Sequence, residues 1–166
     1  KKNLKTIRKN VGYVFQDADS QLFMSTVFDD VAFAPRNYGM SEAEVNEKTM
    51  EALKVVHIEQ LKDKQIYKLS GGEKKLASIL STEPDVILMD EPSVALDPKN
   101  RRNLINILNR LNQAKIIASH DLNMIMDTCE RTILLSDGKI IKDGNTKEIL
   151  LDKELMEESG LELPLG

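Results

Sequence analysis

The chain has a single cysteine among its 166 residues. Cys129 therefore cannot form a disulfide within the chain, which argues against a small disulfide-stabilised module, and a reducing, cytosolic setting is the simplest interpretation. No obvious base neighbours Cys129 in the sequence, so we predict a partly buried structural thiol here and not a nucleophile.

Long apolar runs and an excess of positive charge are also missing. No run approaches the roughly 18 residues of a membrane-spanning helix, and residues 1–5 lack the apolar core of a signal peptide. The net charge of −4 gives no basic field that would favour a nucleic-acid partner. What is present, 41% hydrophobic and 30% charged residues, suffices for one soluble domain with a real core.

The first informative segment is Leu-Ser-Gly-Gly-Glu at residues 69–73. It predicts a tight Gly-Gly turn that opens a helix. The first turn of a helix has backbone N–H groups without partners and carries the positive end of the helix dipole. Ser70, Gly71 and Gly72 are therefore candidate phosphate-binding residues.

The second segment is Val-Ile-Leu-Met-Asp-Glu-Pro at residues 86–92. Its run of apolar residues predicts a parallel strand that is covered on both faces. Two carboxylates follow at the C-terminal end of the strand, and ligands of open α/β sheets bind at that edge. We expect Asp90 to hold a magnesium ion and Glu91 to polarise a water molecule.

These two segments resemble the signature and Walker B motifs of ABC-type ATPases. Ser-Val-Ala-Leu-Asp at residues 93–97 resembles the D-loop of that family, and Gln16 and His120 each follow an apolar strand as two further family motifs do. The alternative is an ordinary α/β domain with a helix start and a carboxylate pair. Five motifs in the family's order favour the ABC family.

The resemblance implies an α/β fold, the P-loop NTPase of ABC type, with a parallel sheet core and a helical signature subdomain. It predicts one partial domain over residues 1–166, incomplete at the N-terminus. Residues 24–82 would form approximately the helical subdomain, and the remainder would form the RecA-like core and a C-terminal tail.

The resemblance also implies ATP and Mg²⁺ as ligands and a second ABC ATPase subunit as partner, in a homodimer or a heterodimer. In the subunit's own site, Asp90 would hold the metal, Glu91 would act as general base, and His120 would contact the γ-phosphate. Gln16 would reach the metal and the attacking water.

Residues that act on the opposite subunit form a second set. Ser70, Gly71 and Gly72 would contact the nucleotide of the other subunit, so that two subunits sandwich two ATP molecules. Asp97 of the D-loop would help the two sites communicate.

The sequence around Gln16 points to a subgroup. Val-Phe-Gln-Asp at residues 14–17, followed by Gln-Leu-Phe at residues 21–23, resembles the Q-loop of the energy-coupling-factor importers of cobalt, nickel and vitamins. The implied location is cytoplasmic, on the inner face of the membrane. An apolar cluster predicts that Asp17–Phe33 docks on a transmembrane subunit, although the same residues could simply fill the core. The cluster comprises Leu22, Phe23, Met24, Val27 and Phe28.

The chain departs from the family pattern in three respects. It contains no G-x-x-x-x-G-K-[ST] motif, so the P-loop of the family would lie before Lys1, and we expect the 166-residue chain by itself to bind ATP poorly. Leu76 stands where the family usually has arginine. The run from Gly72 to Pro84 is about three residues shorter than usual, nearly one helical turn, and either a deletion in the helix or residues missing from the sequence would explain this.

Two other functions compete with a transport ATPase. One is an ABC-type ATPase of DNA maintenance, but those families insert a long coiled coil between the Q-loop and the signature, and here only a short segment separates Gln16 from Ser70. The other is a truncated subunit that binds a partner but no nucleotide.

Local patterns predict the remaining elements. Thr26–Ala34 reads as a short helix that Pro35 ends, and Ser41 with Glu44 forms a capping-box pattern. Further elements are an N-cap at Asp97, a short buried strand over Lys115–Ser119, a hairpin around Asp137-Gly138 and a final amphipathic segment from Lys147 to Leu151.

Overall fold

The computed structural model describes Leu4, Ile7 and residues 10–15, 21–80 and 84–164. It divides into two compact units, Lys1–Ala118 and Ser119–Gly166.

The first unit contains a three-stranded parallel sheet. The strands are β1 (Val11–Val14), β2 (Val86–Asp90) and β3 (Ala114–Ala118), and β2 lies in the middle. Tyr13 is in register with Leu88, and Leu88 with Ile116. The prediction that residues 86–90 form a parallel strand with two acids at its C-terminal end is confirmed.

The two faces of this sheet differ in exposure. Side chains alternate between the faces along each strand. Ile87 and Met89 on one face are each 2% exposed, whereas Ile116 on the other face is 62% exposed. The prediction that β3 is buried is therefore wrong for the described residues, whereas β2 is buried on one face and half-buried on the other. The apolar composition of a strand does not reveal whether its second face is also covered, because the covering residues come from other parts of the chain.

Within residues 21–80 and 84–118, four helices accompany the sheet: α1 (Val27–Asn37), α2 (Glu42–Val55), α3 (Gly71–Leu80) and α4 (Pro98–Arg110), with single 3₁₀ turns at Glu59–Leu61 and Ile66–Lys68. The predicted helix starts are confirmed. Ser41 and Glu44 form a reciprocal capping box before α2, and Asp97 caps α4 with Pro98 in its first turn. Leu104, Ile107 and Leu108 face the core from α4, as their spacing predicts.

Helix α1 does not end at Pro35, contrary to the prediction. Pro35 lies inside the helix, which continues to Asn37. A proline lacks its own N–H donor and crowds the carbonyl oxygen four residues earlier, but the N–H groups of the residues after it can still donate. The N–H of Tyr38 still reaches the carbonyl oxygen of Ala34 at 3.1 Å, so the helix closes about one turn later.

The second unit contains α5 (Leu122–Thr128), β4 (Arg131–Ser136), β5 (Lys139–Asn145), α6 (Thr146–Leu150) and α7 (Lys153–Glu158). Strands β4 and β5 form the predicted antiparallel hairpin. Asp137 and Gly138 both have positive φ, 50° and 72°, as a type I′ turn requires. The predicted Lys147–Leu151 segment corresponds to α6. Sequence reasoning missed α7, whose signal is Asp152, a side-chain cap for the N–H of Leu155.

Within the part of the chain that the structure describes, every helix is too short or too polar to cross a membrane.

Candidate functional site

Asp90 is the last residue of β2, at the carboxyl edge of the parallel sheet, and it is half-buried. The hydroxyl of Tyr13 donates a hydrogen bond to Asp90 Oδ2 at 3.4 Å. Desolvation, the negative charge of Asp90 and this hydrogen bond together raise the pKa of Tyr13. The sheet therefore places Asp90 at the edge where ligands of open α/β folds bind, next to a neutral phenol.

Glu91 follows in a rare backbone conformation, with φ at 46°. Its N–H donates to the carbonyl oxygen of Ala118 at 2.8 Å, and its own carbonyl oxygen accepts from the N–H of Val94 at 3.2 Å. Left-handed φ costs a residue with a side chain free energy, and such strained residues concentrate at functional sites. The chain thus turns sharply directly after the strand, and hydrogen bonds on both sides hold Glu91 there.

Asp90 fits one specific kind of metal ligation. Mg²⁺ prefers hard oxygen ligands, and in nucleotide sites it takes one or two carboxylates together with phosphate oxygens and water. Among the described residues, no group of three or more His, Cys, Asp and Glu side chains could hold a metal ion. The donor set therefore suits a magnesium ion that arrives with phosphate, and it does not suit a metal held by protein ligands alone.

Ser70 forms the start of helix α3 by a reciprocal pair of hydrogen bonds. Its N–H donates to Glu73 Oε2 at 2.7 Å, and the N–H of Glu73 donates to Ser70 Oγ at 3.3 Å. This arrangement is a capping box. Ser70 and Gly71 are exposed. The predicted helix start at the Gly-Gly pair is confirmed, and Ser70 has a structural role there whether or not phosphate binds.

Lys64 contacts the same carboxylate. Its Nζ atom lies 3.1 Å and 3.0 Å from the two carboxylate oxygens of Glu73. Burial works against ionisation of Glu73, but the N–H of Ser70 and the Lys64 ammonium outweigh it, so that the pKa of Glu73 is lowered. Lys64 therefore offsets the negative charge of Glu73, which would otherwise repel an anion at the start of helix α3.

The two glycines of this turn occupy different surroundings. A Cβ atom at Gly71 would meet nothing within 4 Å, whereas a Cβ at Gly72 would lie 2.5 Å from Asn100 Cγ. Gly72 is buried. The close approach of α4 thus requires glycine at position 72, and position 71 is open to solvent.

Asp97 lies beside this contact. Asp97 Oδ1 accepts from the N–H of Asn100 at 2.9 Å, and Asn100 Nδ2 donates to Asp97 Oδ2 at 2.6 Å. Hydrogen bonds from Asn100 hold the pKa of Asp97 below its ordinary value. The structure therefore brings Gly72 and Asp97 together through Asn100. Sequence reasoning missed Asn100, although an amide three residues after an N-cap aspartate is a recognisable signal.

Two further residues were predicted to belong to the site, Gln16 and His120. Gln16 lies outside the described residues. His120 belongs to the second unit and is exposed, and its carbonyl oxygen accepts from the N–H of Leu122 at 3.0 Å. The neighbouring Asp121 caps α5, as predicted. The roles of Gln16 and His120 remain predictions.

The predicted docking cluster divides into core and surface residues. Leu22 and Val27 are buried, at 7% and 0% exposure, so their assignment to a docking surface is wrong. Phe23 is 64% exposed and packs edge-on against Phe33. Beside them lies a groove of about 360 Å³, lined among others by Phe23, Tyr67 and Lys74. The apolar periodicity of a loop does not show which of its side chains turn inward.

The family model described as ABC transporter matches residues 1–94. A putative ABC transporter ATP-binding protein of Geobacter sulfurreducens is 48% identical over 98% of this chain and 67% of its own length. An energy-coupling factor transporter ATP-binding protein of Carboxydothermus hydrogenoformans is 41% identical over 98% of this chain and 62% of its own length.

Among solved structures, cbiO1 of Clostridium perfringens, part of the ABC transporter complex cbiONQ, superposes with a TM-score of 0.85. It is 36% identical, and the match covers 95% of this chain and 66% of that chain. The chain thus spans about two thirds of the length of the relatives it matches.

Proposed function

The chain belongs to the ABC transporter family and has the ABC-type P-loop NTPase fold, and from this premise we propose that it is part of an ATPase subunit that powers an importer of the energy-coupling-factor type. The similarity to proteins named for that transporter class supports the subclass. The proposed cargo is cobalt or a related micronutrient, because the sequence around Gln16 resembles the Q-loop of importers of such micronutrients.

One observation carries the proposal. The central strand of a parallel sheet ends in Asp90, and Glu91 follows in a strained turn that hydrogen bonds hold at the sheet edge. A structural carboxylate pair does not need a left-handed backbone, whereas a group that must stay in place beside a reacting phosphate benefits from such a fixed turn.

In the proposed reaction, water attacks the γ-phosphorus of ATP, the bond to the β-phosphate oxygen breaks, and ADP and phosphate are the products. Glu91 orients that water and accepts its proton. Asp90 would hold Mg²⁺, which when bound neutralises charge on the phosphate oxygens. Gln16 and His120 would contact the γ-phosphate region from their own segments.

A second subunit would complete the site. Ser70 and Gly71 are exposed at the start of a ten-residue helix, where backbone N–H groups and the helix dipole favour an anion. We assign Ser70, Gly71 and Gly72 to the nucleotide of the opposite subunit, and Asp97 to communication between the two sites.

The proposed docking surface for a transmembrane subunit consists of Phe23, Phe33 and the groove that Tyr67 and Lys74 help to line. Exposed aromatic side chains beside a groove are typical of interfaces. The protein would thus work at the inner face of the membrane.

The competing functions fit less well. Between residues 21 and 70 the longest helices are α1 and α2, of 11 and 14 residues, which leaves no place there for a long coiled coil of the kind found in DNA-maintenance ATPases. A nucleotide-inactive subunit remains the second candidate, because the 166-residue chain contains no P-loop motif.

The test compares nucleotide binding and hydrolysis by the 166-residue chain and by a form of the protein that contains a P-loop. We expect hydrolysis with magnesium only from the P-loop-containing form, and in that form Glu91→Gln should lower turnover by about 10²–10⁴-fold with ATP binding intact. Robust turnover by the 166-residue chain would contradict the assignment of roles. A P-loop-containing form that binds no ATP would favour the inactive subunit.

A further inference from the structure

Asn100 lies where two motifs of the proposed site meet. It is the third residue of α4, and its side chain sits against the backbone of Gly72 in the first turn of α3. A Cβ placed on Gly72 would come within 2.5 Å of Asn100 Cγ, 2.8 Å of Nδ2 and 2.9 Å of Cβ. No such close approach exists at the neighbouring Gly71.

The same side chain is held from its other end. Asn100 Nδ2 donates to Asp97 Oδ2 at 2.6 Å, while the backbone N–H of Asn100 donates to Asp97 Oδ1 at 2.9 Å. One carboxylate thus holds both the backbone and the side-chain amide of Asn100, which restricts rotation of the amide. The amide therefore forms a rigid spacer between Asp97 and the backbone of Gly72.

We propose that Asn100 is a positioning residue that couples the start of helix α3 to Asp97, so that both groups keep one relative position when a second copy docks. The part of this inference that concerns docking rests on the proposed function. Ser70, Gly71 and Asp97 are exposed, so they are accessible to a partner subunit. Asn100 would act through them and would not itself touch the nucleotide.

The first test needs no nucleotide and uses the 166-residue chain. Gly72→Ala should lower the Tm by about 2–10 °C, because its Cβ forces Asn100 aside. Adding Asn100→Ala should recover part of that loss, since alanine removes Cγ and Nδ2, the two nearest atoms, and leaves only Cβ at 2.9 Å. The backbone N–H bond to Asp97 is kept. Asn103→Ala, an exposed asparagine on the same helix, is the matched control and should recover nothing.

This comparison of single and double variants also covers the case in which Gly72→Ala does not fold. Folding of the double variant would then support the coupling, and failure of both would overturn it. Tm losses of Gly72→Ala and Asn100→Ala that simply add would overturn it as well. Gly71→Ala should leave the Tm nearly unchanged, because nothing lies near its Cβ position.

The second test uses the P-loop-containing form. Asn100→Ala should weaken ATP-driven dimerisation about tenfold and leave the Kd of the monomer for ATP within about twofold, whereas Asn103→Ala should change neither. Unchanged dimerisation in Asn100→Ala would overturn the docking role. If the unmodified protein does not bind ATP or dimerise, the proposed function fails. The Tm comparison of single and double variants still decides whether Asn100 couples the two motifs.

Discussion

The backbone N–H of Phe23 donates a hydrogen bond of 3.0 Å to Asp30 Oδ1, and the N–H of Met24 donates to the same oxygen at 3.0 Å. Asp30 is 1% exposed, whereas Phe23 is 64% exposed. A buried carboxylate in the first turn of α1 thus fixes, from beneath, the loop that presents an aromatic ring to solvent. Helix α1 therefore holds this loop through two hydrogen bonds to one carboxylate oxygen.

Replacing Asp30 should loosen this loop. Asp30→Ala leaves two backbone N–H groups without their acceptor and should lower the free energy of unfolding by about 1–3 kcal/mol. Asp30→Asn keeps one carbonyl oxygen that can accept the same bonds, so this variant should lose clearly less free energy of unfolding than Asp30→Ala. Urea unfolding of the two variants measures the difference, and equal losses would show that the negative charge matters more than the acceptor oxygen.

Replacement by serine should affect stability at Leu22 and partner binding at Phe23. Leu22→Ser removes a 7%-exposed apolar side chain and should lower the free energy of unfolding by about 2–4 kcal/mol. Phe23→Ser should change it by less than about 0.5 kcal/mol and yet weaken binding to the transmembrane subunits. Urea unfolding and a pull-down with those subunits measure the two effects. Phe23→Ser that destabilises as much as Leu22→Ser would assign Phe23 to the core.

Local signals in the sequence predicted the local structure well. A cap depends on a few neighbouring residues, so the helix starts at Ser41, Ser70 and Asp97 follow from the sequence. The strand that ends in Asp90 follows from its apolar run and the adjacent acids. The carboxylate pair at a parallel sheet edge was therefore predictable from residues that are close in sequence.

Features that depend on distant residues could not be predicted in this way. Whether Ile116 is covered depends on a second layer, and the burial of Leu22 depends on how its loop folds back. The contact of Gly72 with Asn100 joins residues that are far apart in the sequence. The positive φ of Glu91 likewise arises from its bonds to Ala118 and Val94, since glutamate has no local preference for it.

Glu91 should show a trade-off between stability and activity. Glycine adopts positive φ without strain, so Glu91→Gly should raise the free energy of unfolding by up to about 1 kcal/mol. It should also abolish hydrolysis by the P-loop-containing form, because the carboxylate is lost. Glu91→Gln is the control that keeps the strained backbone, and its stability should stay within about 0.5 kcal/mol of the original. Glycine that destabilises more than glutamine would argue that the strain is negligible.

The start of helix α3 should weaken in acid. The pKa of Glu73 is lowered from its ordinary value of 4.5, so the ionised side chain stabilises the fold above that pH, and this contribution is lost as the pH falls through the lowered pKa. Glu73→Gln keeps the capping oxygen but cannot ionise. The free energy of unfolding of the original protein should therefore exceed that of the variant by about 0.5–1 kcal/mol near neutral pH, and this difference should disappear in acid. Unfolding free energies at a series of pH values measure this, and a constant difference would contradict it.

The last prediction separates contributions that Ser70 makes to its own subunit from those it makes to a partner. In the P-loop-containing form, Ser70→Arg should block ATP-driven dimerisation without preventing ATP binding to the monomer, since Ser70 is exposed at the start of α3. Loss of ATP binding by the isolated monomer would decide against a role on the partner's nucleotide.

Mixing a Ser70→Arg subunit with a Glu91→Gln subunit extends this test. If Ser70 serves the partner's nucleotide and Glu91 its own, both changes fall on one of the two shared sites and the other site keeps its original residues. The mixed dimer should then hydrolyse more ATP than either mutant homodimer, measured as phosphate release per dimer after the mixed species has been isolated. A mixed dimer that forms but is as inactive as the homodimers would mean that the sites are strictly coupled, or that Ser70 does not act across the interface.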